Sequence, residues 1–503
     1  MLMRFLFRAV PLLSLFFTLF CPTIEAAGTT PDIQPLIKQA QNKNLEKHPY
    51  WRQLLHYPSQ KGDNDRNSVS EIITPGFFLS TEGRQNPSKE LTATLSAFFE
   101  EPGNDQDNHA QCRFIARYKW LRKQLDWSQS QPPAVTCKRF NDWSMNVQIE
   151  SLSLVVVTGY LSNPASFYGH ILLKANPNRA IIPVDLLDQS INYGAIVPEN
   201  ENPLTYIANG LFGGYKATFS HAQFYRHNHN YGEDELRDMW EYELNLSADE
   251  IDQIQSHAWE LFNAEFIYYF TRENCAYRMS ELLEPAIGEP LFQDEIPWVM
   301  PTTIFDHLAS IKRGDRPIVR QVKRIPSRQN RFYSGFAELG APQKEIVRAV
   351  ANNELSLNTS DDFINLPETD KVKIFDVLID YYEFRILAED EDKEFRRKKT
   401  ALLIERSKLP PQTSTKKHEE EKSEPPHKGP LPTMLRAGVL NNHQLGSGIE
   451  LQFRPAYYDL LTTDIGRIPN SKLTMFDLRV THLNDKLKIT SLDLVDIETL
   501  KLS

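Results

Sequence analysis

Hydrophobic periodicity divides the chain into stretches of different character. From about 30 to 145 the apolar residues fall in helical groups, HPYWRQLLHY, SKELTATLSAFFE and CRFIARYKWL, with polar breaks such as PGNDQDNHAQ between them. At Ser151 the pattern changes. LSLVVVTGYL reads as a buried strand, HILLKA as a second, and AIIPVDLLDQSINYGAIV as a third with a bend at Pro183. Asn163-Pro164 marks the turn between the first two. LFGGYKATFS and HAQFYRHNHNYGEDE, rich in Gly, Tyr and His, read as irregular. Ser247 and Glu250 form a capping box, and Ile251, Ile254, Ala258 and Leu261 then repeat at helical spacing in a helix expected to reach about Phe270. After a turn at TRE, Asn274 is a suitable N-cap for a helix that begins at Cys275 and is expected to stop at Pro285.

The last third continues this alternation of types. Residues 346–408 read as helical, ending in the charged run EDEDKEFRRKK, whose oppositely signed neighbours suit a solvated face. Residues 409–433 are poor in apolar residues and rich in Lys, Glu and Pro, which predicts a linker. From 434 to 503 the period is two: Ile449, Leu451 and Phe453 alternate with Glu450, Gln452 and Arg454. That stretch predicts an antiparallel β region, either a soluble sheet packed on another or part of a membrane barrel with Ile449, Leu451 and Phe453 facing lipid. Its few strands leave unpaired edges, so another molecule or further chain is expected to complete it. The class predicted is α+β, with a helical N-terminal region over 30–145, a central domain over 146–345, a helical segment over 346–408 and the β region at the end.

Composition fixes the compartment and narrows the partners. Arg4 and Arg8 precede PLLSLFFTLF, and IEAA follows, so residues 1–26 read as a cleaved secretory signal whose apolar core is too short to span a bilayer comfortably. Cys21, preceded by Phe20, fits lipoprotein processing poorly. The formal net charge of −10, with no basic stripe to offset it, argues against nucleic acid. Beyond the signal, Cys112, Cys137 and Cys275 remain. Cys112 and Cys137 flank one local segment, and closing that loop in an oxidising compartment would stabilise the fold by about 3 kcal/mol. Cys275 is then the free thiol.

A thiol at a helix N-terminus meets the positive end of the macrodipole, which favours thiolate, and a nearby imidazole would complete a nucleophile. His170, opening the second strand, is the candidate base. Asn192, on the following strand, or Asp185, close to Pro183, would fix its tautomer, and strand register favours Asn192. Backbone N–H groups at the start of the cysteine helix are the expected oxyanion donors. The histidines His221, His227 and His229 with Glu233 and Glu235 form a loose polar cluster, which reads as a solvated loop rather than a metal site. No cofactor is called for.

Several spaced motifs, SNPASFYGHILLK, SINYGA, GLFGGY, LRDMWEYELNLS and YYFTRENCAYRMSELLE, together resemble the DUF4105 family, typified by the N-terminal periplasmic domain of Lnb, an enzyme that N-acylates lipoproteins. The order histidine, polar residue, cysteine is also similar to the permuted papain-like arrangement of lecithin:retinol acyltransferase and NlpC/P60 proteins. Asn274-Cys275 matches that group's motif, but the acid and histidine that should follow are missing. The resemblance implies a cell-envelope acyltransferase working through a Cys275 thioester, with a lipid or lipoprotein substrate and a setting at the membrane surface or outer membrane. Two rival readings remain: a cysteine peptidase or amidase acting on cell-wall peptides, and a non-catalytic envelope scaffold.

Overall fold

The computed structural model describes residues 32–500 apart from 59–68, 145–148, 162–165, 181–183, 293–297, 389–392, 411–423, 444–445, 469 and 484. The signal-like segment, Cys21, Asn163-Pro164, Pro183 and most of the predicted linker lie outside the described residues. The class is mixed α+β. At its centre a seven-stranded sheet is antiparallel throughout, in the order β6-β4-β3-β2-β1-β5-β7. Its strands are β1 (Ile149–Val157), β2 (His170–Pro177), β3 (Gln189–Ala195), β4 (Tyr215–Gln223), β5 (Met239–Leu244), β6 (Glu265–Tyr268) and β7 (Val319–Ile325).

β1 explains its own unbroken hydrophobic run. Leu152, Leu154 and Val156 enter the main core, whereas Val155 and Val157 pack with Leu172, Phe224 and Met239 in a separate cluster. A strand buried on both faces has no reason to alternate. The helices Ala248–Leu261 and Cys275–Ile287 cover the main-core face, the first against β1 and the second against β2 and β3. Both halves of the Ser247–Glu250 capping box are made.

The N-terminal helices pack on the outside of the Ala248–Leu261 helix, and a buried ion network joins the two. The Arg117 guanidinium, wholly enclosed, donates to Glu260 at 3.0 Å, to Glu90 at 2.9 Å and to the Phe77 carbonyl at 3.2 Å. Cys112 and Cys137 form a disulfide, and Cys275 is free and buried.

Several expectations are corrected. The segment read as one bent strand is a 3-10 turn at Asp185–Leu187 followed by β3. The region read as irregular contains the helix Pro203–Phe212 and β4, in which Tyr215, Ala217 and Phe219 point inward. The capped helix stops at Leu261, and β6 follows where more helix was expected. The cysteine helix passes through Pro285 to Ile287. Pro285 forgoes the bond to the Glu281 carbonyl, and the helix runs on for only two more residues.

Residues 328–407 form helices around a core of their own. The final sheet is antiparallel and half-barrel-like, built from Met434–Asn442, Gly446–Arg454, Ala456–Tyr458, Ser471–Leu483 and Lys486–Thr499. Its polarity is inverted. Gln452 is fully buried and donates to Asp477 at 2.7 Å, and Arg454 donates to the same carboxylate at 2.8 Å. Leu435, Val439, Ile449 and Leu451 are 76%, 84%, 53% and 50% exposed on the other side. Among the described residues no second sheet covers that apolar face, as a sandwich would require. Phe453 instead meets Trp298 of the central domain, with ring centroids 5.6 Å apart.

Candidate active site

Asn274 builds the start of the cysteine helix. Its Oδ1 accepts from the Ala276 and Tyr277 N–H groups at 3.0 and 3.2 Å, while its Nδ2 donates to the Val299 and Phe270 carbonyls at 2.7 and 3.2 Å. Four bonds fix a buried side chain, and with it the first turn. Cys275, the first helical residue, turns its Sγ toward the backbone N–H groups of Ile171 and Ala276. The thiol therefore lies against the start of β2, one residue from His170.

Gly169 makes that approach feasible. Its φ is +99°, and a Cβ there would stand 2.4 Å from the Val157 carbonyl oxygen. The chain can thus turn tightly into β2 and present His170 at the strand's first position. On the neighbouring strand Asn192 pairs with Leu172, and its Oδ1 lies 2.5 Å from His170 Nε2. An amide oxygen only accepts, so Nε2 carries the proton and Nδ1 keeps a lone pair. The Tyr231 ring lies beside the imidazole, 5.7 Å between centroids. Asp185 is elsewhere, paired with Arg179 at 3.4 Å and Lys323 at 3.6 Å.

The charge state differs from the sequence expectation. Burial pushes the Cys275 thiol up to about 11, against smaller lowering effects from the Ile171 and Ala276 N–H groups and from Arg237. Burial also lowers His170 to about 4, with the Asn192 bond acting in the opposite direction. The resting pair is a neutral thiol and a neutral imidazole. Desolvation outweighs the helix terminus, whose Ala276 and Tyr277 N–H groups serve Asn274, the Ala276 one shared with the thiol. For the same reason those two groups are not free oxyanion donors. The Cys275 N–H is the donor left at this terminus, and it faces the Tyr268 hydroxyl.

A pH dependence follows. In the unreduced protein, alkylation should reach only Cys275, slowly at pH 7 and faster toward pH 11 as thiolate forms. Efficient labelling well below pH 8, or label on Cys112 or Cys137, would overturn the neutral pair or the disulfide assignment.

The pocket beside the thiol is lined by Tyr168, Tyr268, Phe270, Thr271, Met300 and, from the C-terminal sheet, Met475. Tyr268 and Phe270 pack in the main core and also line this pocket. Tyr168, Tyr231, Tyr268, Arg237 and Met475 were not anticipated as neighbours of the site. Tyr168, Arg237 and Tyr268 lie inside the motifs SFYGHILLK, LRDMWEYELNLS and YYFTRENCAYRMSELLE, whereas Tyr231 and Met475 carried no local signal.

The histidine cluster does not converge. His221 packs on Phe262, His227 stacks on Tyr231, and His229 is exposed near Asp234. Glu233 pairs with Arg331 and Glu235 with Arg237. Among the described residues a different trio, His56, Glu71 and Glu281, has ligand-like spacing. There the Arg278 guanidinium already supplies the positive charge, donating to Glu71 at 2.5 Å and to Glu281 at 2.6 Å.

Residues 139–310, which contain β1 to β6 and His170, Asn192 and Cys275, match the family model of the Lnb N-terminal periplasmic domain. Residues 43–124, 325–418 and 423–502 match three domains of unknown function, DUF7843, DUF7842 and DUF7840. Among curated proteins and among solved structures nothing matches. Among the described residues no helix is long and apolar enough to cross a membrane. By its central domain the chain is similar to the N-terminal periplasmic domain of Lnb, a likeness that suggests an Lnb-like envelope protein.

Proposed function

We propose that the central domain is a thiol acyltransferase with a permuted papain-like arrangement, acting on acyl esters of lipids or lipoproteins. The observation that carries this reading is the Asn192–His170 pair on adjacent strands, with the Cys275 thiol seated against the residue after His170. As substrate binds, Sγ attacks the ester carbonyl and its proton passes to His170 Nδ1. The carbonyl π electrons move to oxygen, where the Cys275 N–H would donate once substrate displaces the Tyr268 hydroxyl from it. Collapse breaks the ester C–O bond, the leaving alkoxide takes the proton from His170, and a Cys275 thioester remains. An amine, by analogy with Lnb the α-amine of a lipoprotein, would then take the acyl group. Asn192 holds the ring throughout.

The pocket lining supports an apolar acyl group over a charged peptide, since none of its side chains is charged. The inverted polarity of the C-terminal sheet supports a lipid-facing role at the outer membrane. One experiment tests both parts: fractionate producing cells, recover the protein from each fraction and analyse the Cys275 peptide by mass spectrometry. Protein in the outer-membrane fraction with an acyl group on Cys275 is expected. A bare thiol after incubation with bacterial lipid, with release of cell-wall peptide instead, would favour the peptidase reading. Recovery wholly in the soluble periplasm would remove the membrane part.

A further inference from the structure

We infer that the C-terminal sheet is part of the active site, and that Met475 sets the size of the group admitted to Cys275. The acyl-transfer reading enters this only in naming that group as an acyl chain. Met475 sits on the strand Ser471–Leu483, yet it lines the same pocket as Cys275. The inner face of that sheet is polar at Asp477, where Gln452 and Arg454 hold the carboxylate, and apolar at Leu473 and Met475. Between them Phe476 has a left-handed φ of 62°. A bulky residue keeps that conformation only where the surroundings enforce it. Here it marks the point at which the strand leaves the polar interior and meets the central domain.

The docking is specific. Leu473, fully buried, packs with Tyr458 and Phe167, and Phe167 lies in the loop that delivers His170. His427 Nδ1 and the Tyr242 hydroxyl are 2.9 Å apart, and Trp298 Nε1 donates to Thr433 Oγ1 at 3.4 Å. The cavity beside the thiol measures about 30 Å³. That is close to the volume of one water molecule, so an acyl chain enters only if a wall gives way. Of the other wall residues, Tyr168, Tyr268 and Phe270 are aromatic, Pro301 is cyclic, Asn274 is a bonded cap, and Met300, also a methionine, is buried at 6% exposure. Met475 is half-buried, unbranched and adaptable, which makes it the part that can repack around a straight alkyl chain.

The test uses the full chain and two thiol reagents, methyl and benzyl methanethiosulfonate, at one alkaline pH. Each forms a disulfide with Cys275 and releases a sulfinate, so their rate ratio measures access and not thiol acidity. Met475→Ala should raise the benzyl-to-methyl ratio about tenfold, Met475→Trp should lower it by a similar factor, and Met475→Leu, of nearly equal volume, should leave it unchanged. Melting temperatures measured alongside identify any variant that has lost its fold, and the ratio is compared among folded variants. Ratios within twofold of wild type for both Ala and Trp would overturn the inference. An altered ratio in a protein that never forms an acyl thioester would sink the acyl-transfer reading and leave the composite wall standing.

Discussion

Cys275→Ser should abolish turnover, a loss of at least about 10³-fold, while the melting temperature moves by no more than a few degrees. Oxygen nearly replaces sulfur in shape, but a buried hydroxyl is a far weaker nucleophile. His170→Ala should cost a similar factor, because it removes the proposed base. Asn192→Ala should retain measurable activity, since it removes an orienting bond and leaves nucleophile and base in place. Circular dichroism and turnover of a model ester check all three. A Cys275→Ser protein that unfolds, or that keeps its activity per folded molecule, would make the cysteine structural.

The largest stability effect is expected far from this site. Arg117→Ala should destabilise the protein by about 3–5 kcal/mol, because it strands two enclosed carboxylates, Glu90 and Glu260. Burial already raises the Glu260 carboxyl to about 7 with Arg117 beside it. A folded pKa above the ordinary value of 4.5 means that the native state binds the extra proton. The associated stability is present below about 4.5 and lost as pH rises toward 7, and without Arg117 that loss should extend to higher pH. Urea titrations at pH 5 and pH 8 should therefore show the larger deficit at pH 8. A deficit below about 1 kcal/mol at both pH values would mean that the network does not join the N-terminal helices to the domain.

How much of this was legible in the sequence depends on the range of the cause. The starts of both helices were readable because capping is local: Ser247 with Glu250, and Asn274 ahead of Cys275, are complete within four residues. β1 and β2 were readable from their short unbroken apolar runs, β1 also from its β-branched content. β6 was not, because Phe266 and Tyr268 continue the apolar rhythm of the preceding helix and four residues hold too few periods to separate 2 from 3.6. β4 was hidden by the glycines and histidines around Tyr215, Ala217 and Phe219. Pairing Asn192 with His170 needed only strand adjacency, so it could be expected. The pocket could not, since Tyr168, Tyr268 and Met475 come from three remote segments. The thiol's charge state was misread for a related reason: a helix terminus is visible in sequence, whereas the desolvation that outweighs it is a property of the assembled core.

Burial of Cys275 also bears on durability. In an oxidising envelope an exposed thiolate is open to sulfenic acid formation and to capture by other disulfides, and both reactions proceed through the ionised sulfur. A protonated thiol at 3% exposure escapes both. Under the proposed function, the thiol is preserved by the same desolvation that keeps it inert, so its working lifetime and its idleness without substrate would have a single origin. Any change that wets this pocket should shorten the protein's useful life before it alters the fold.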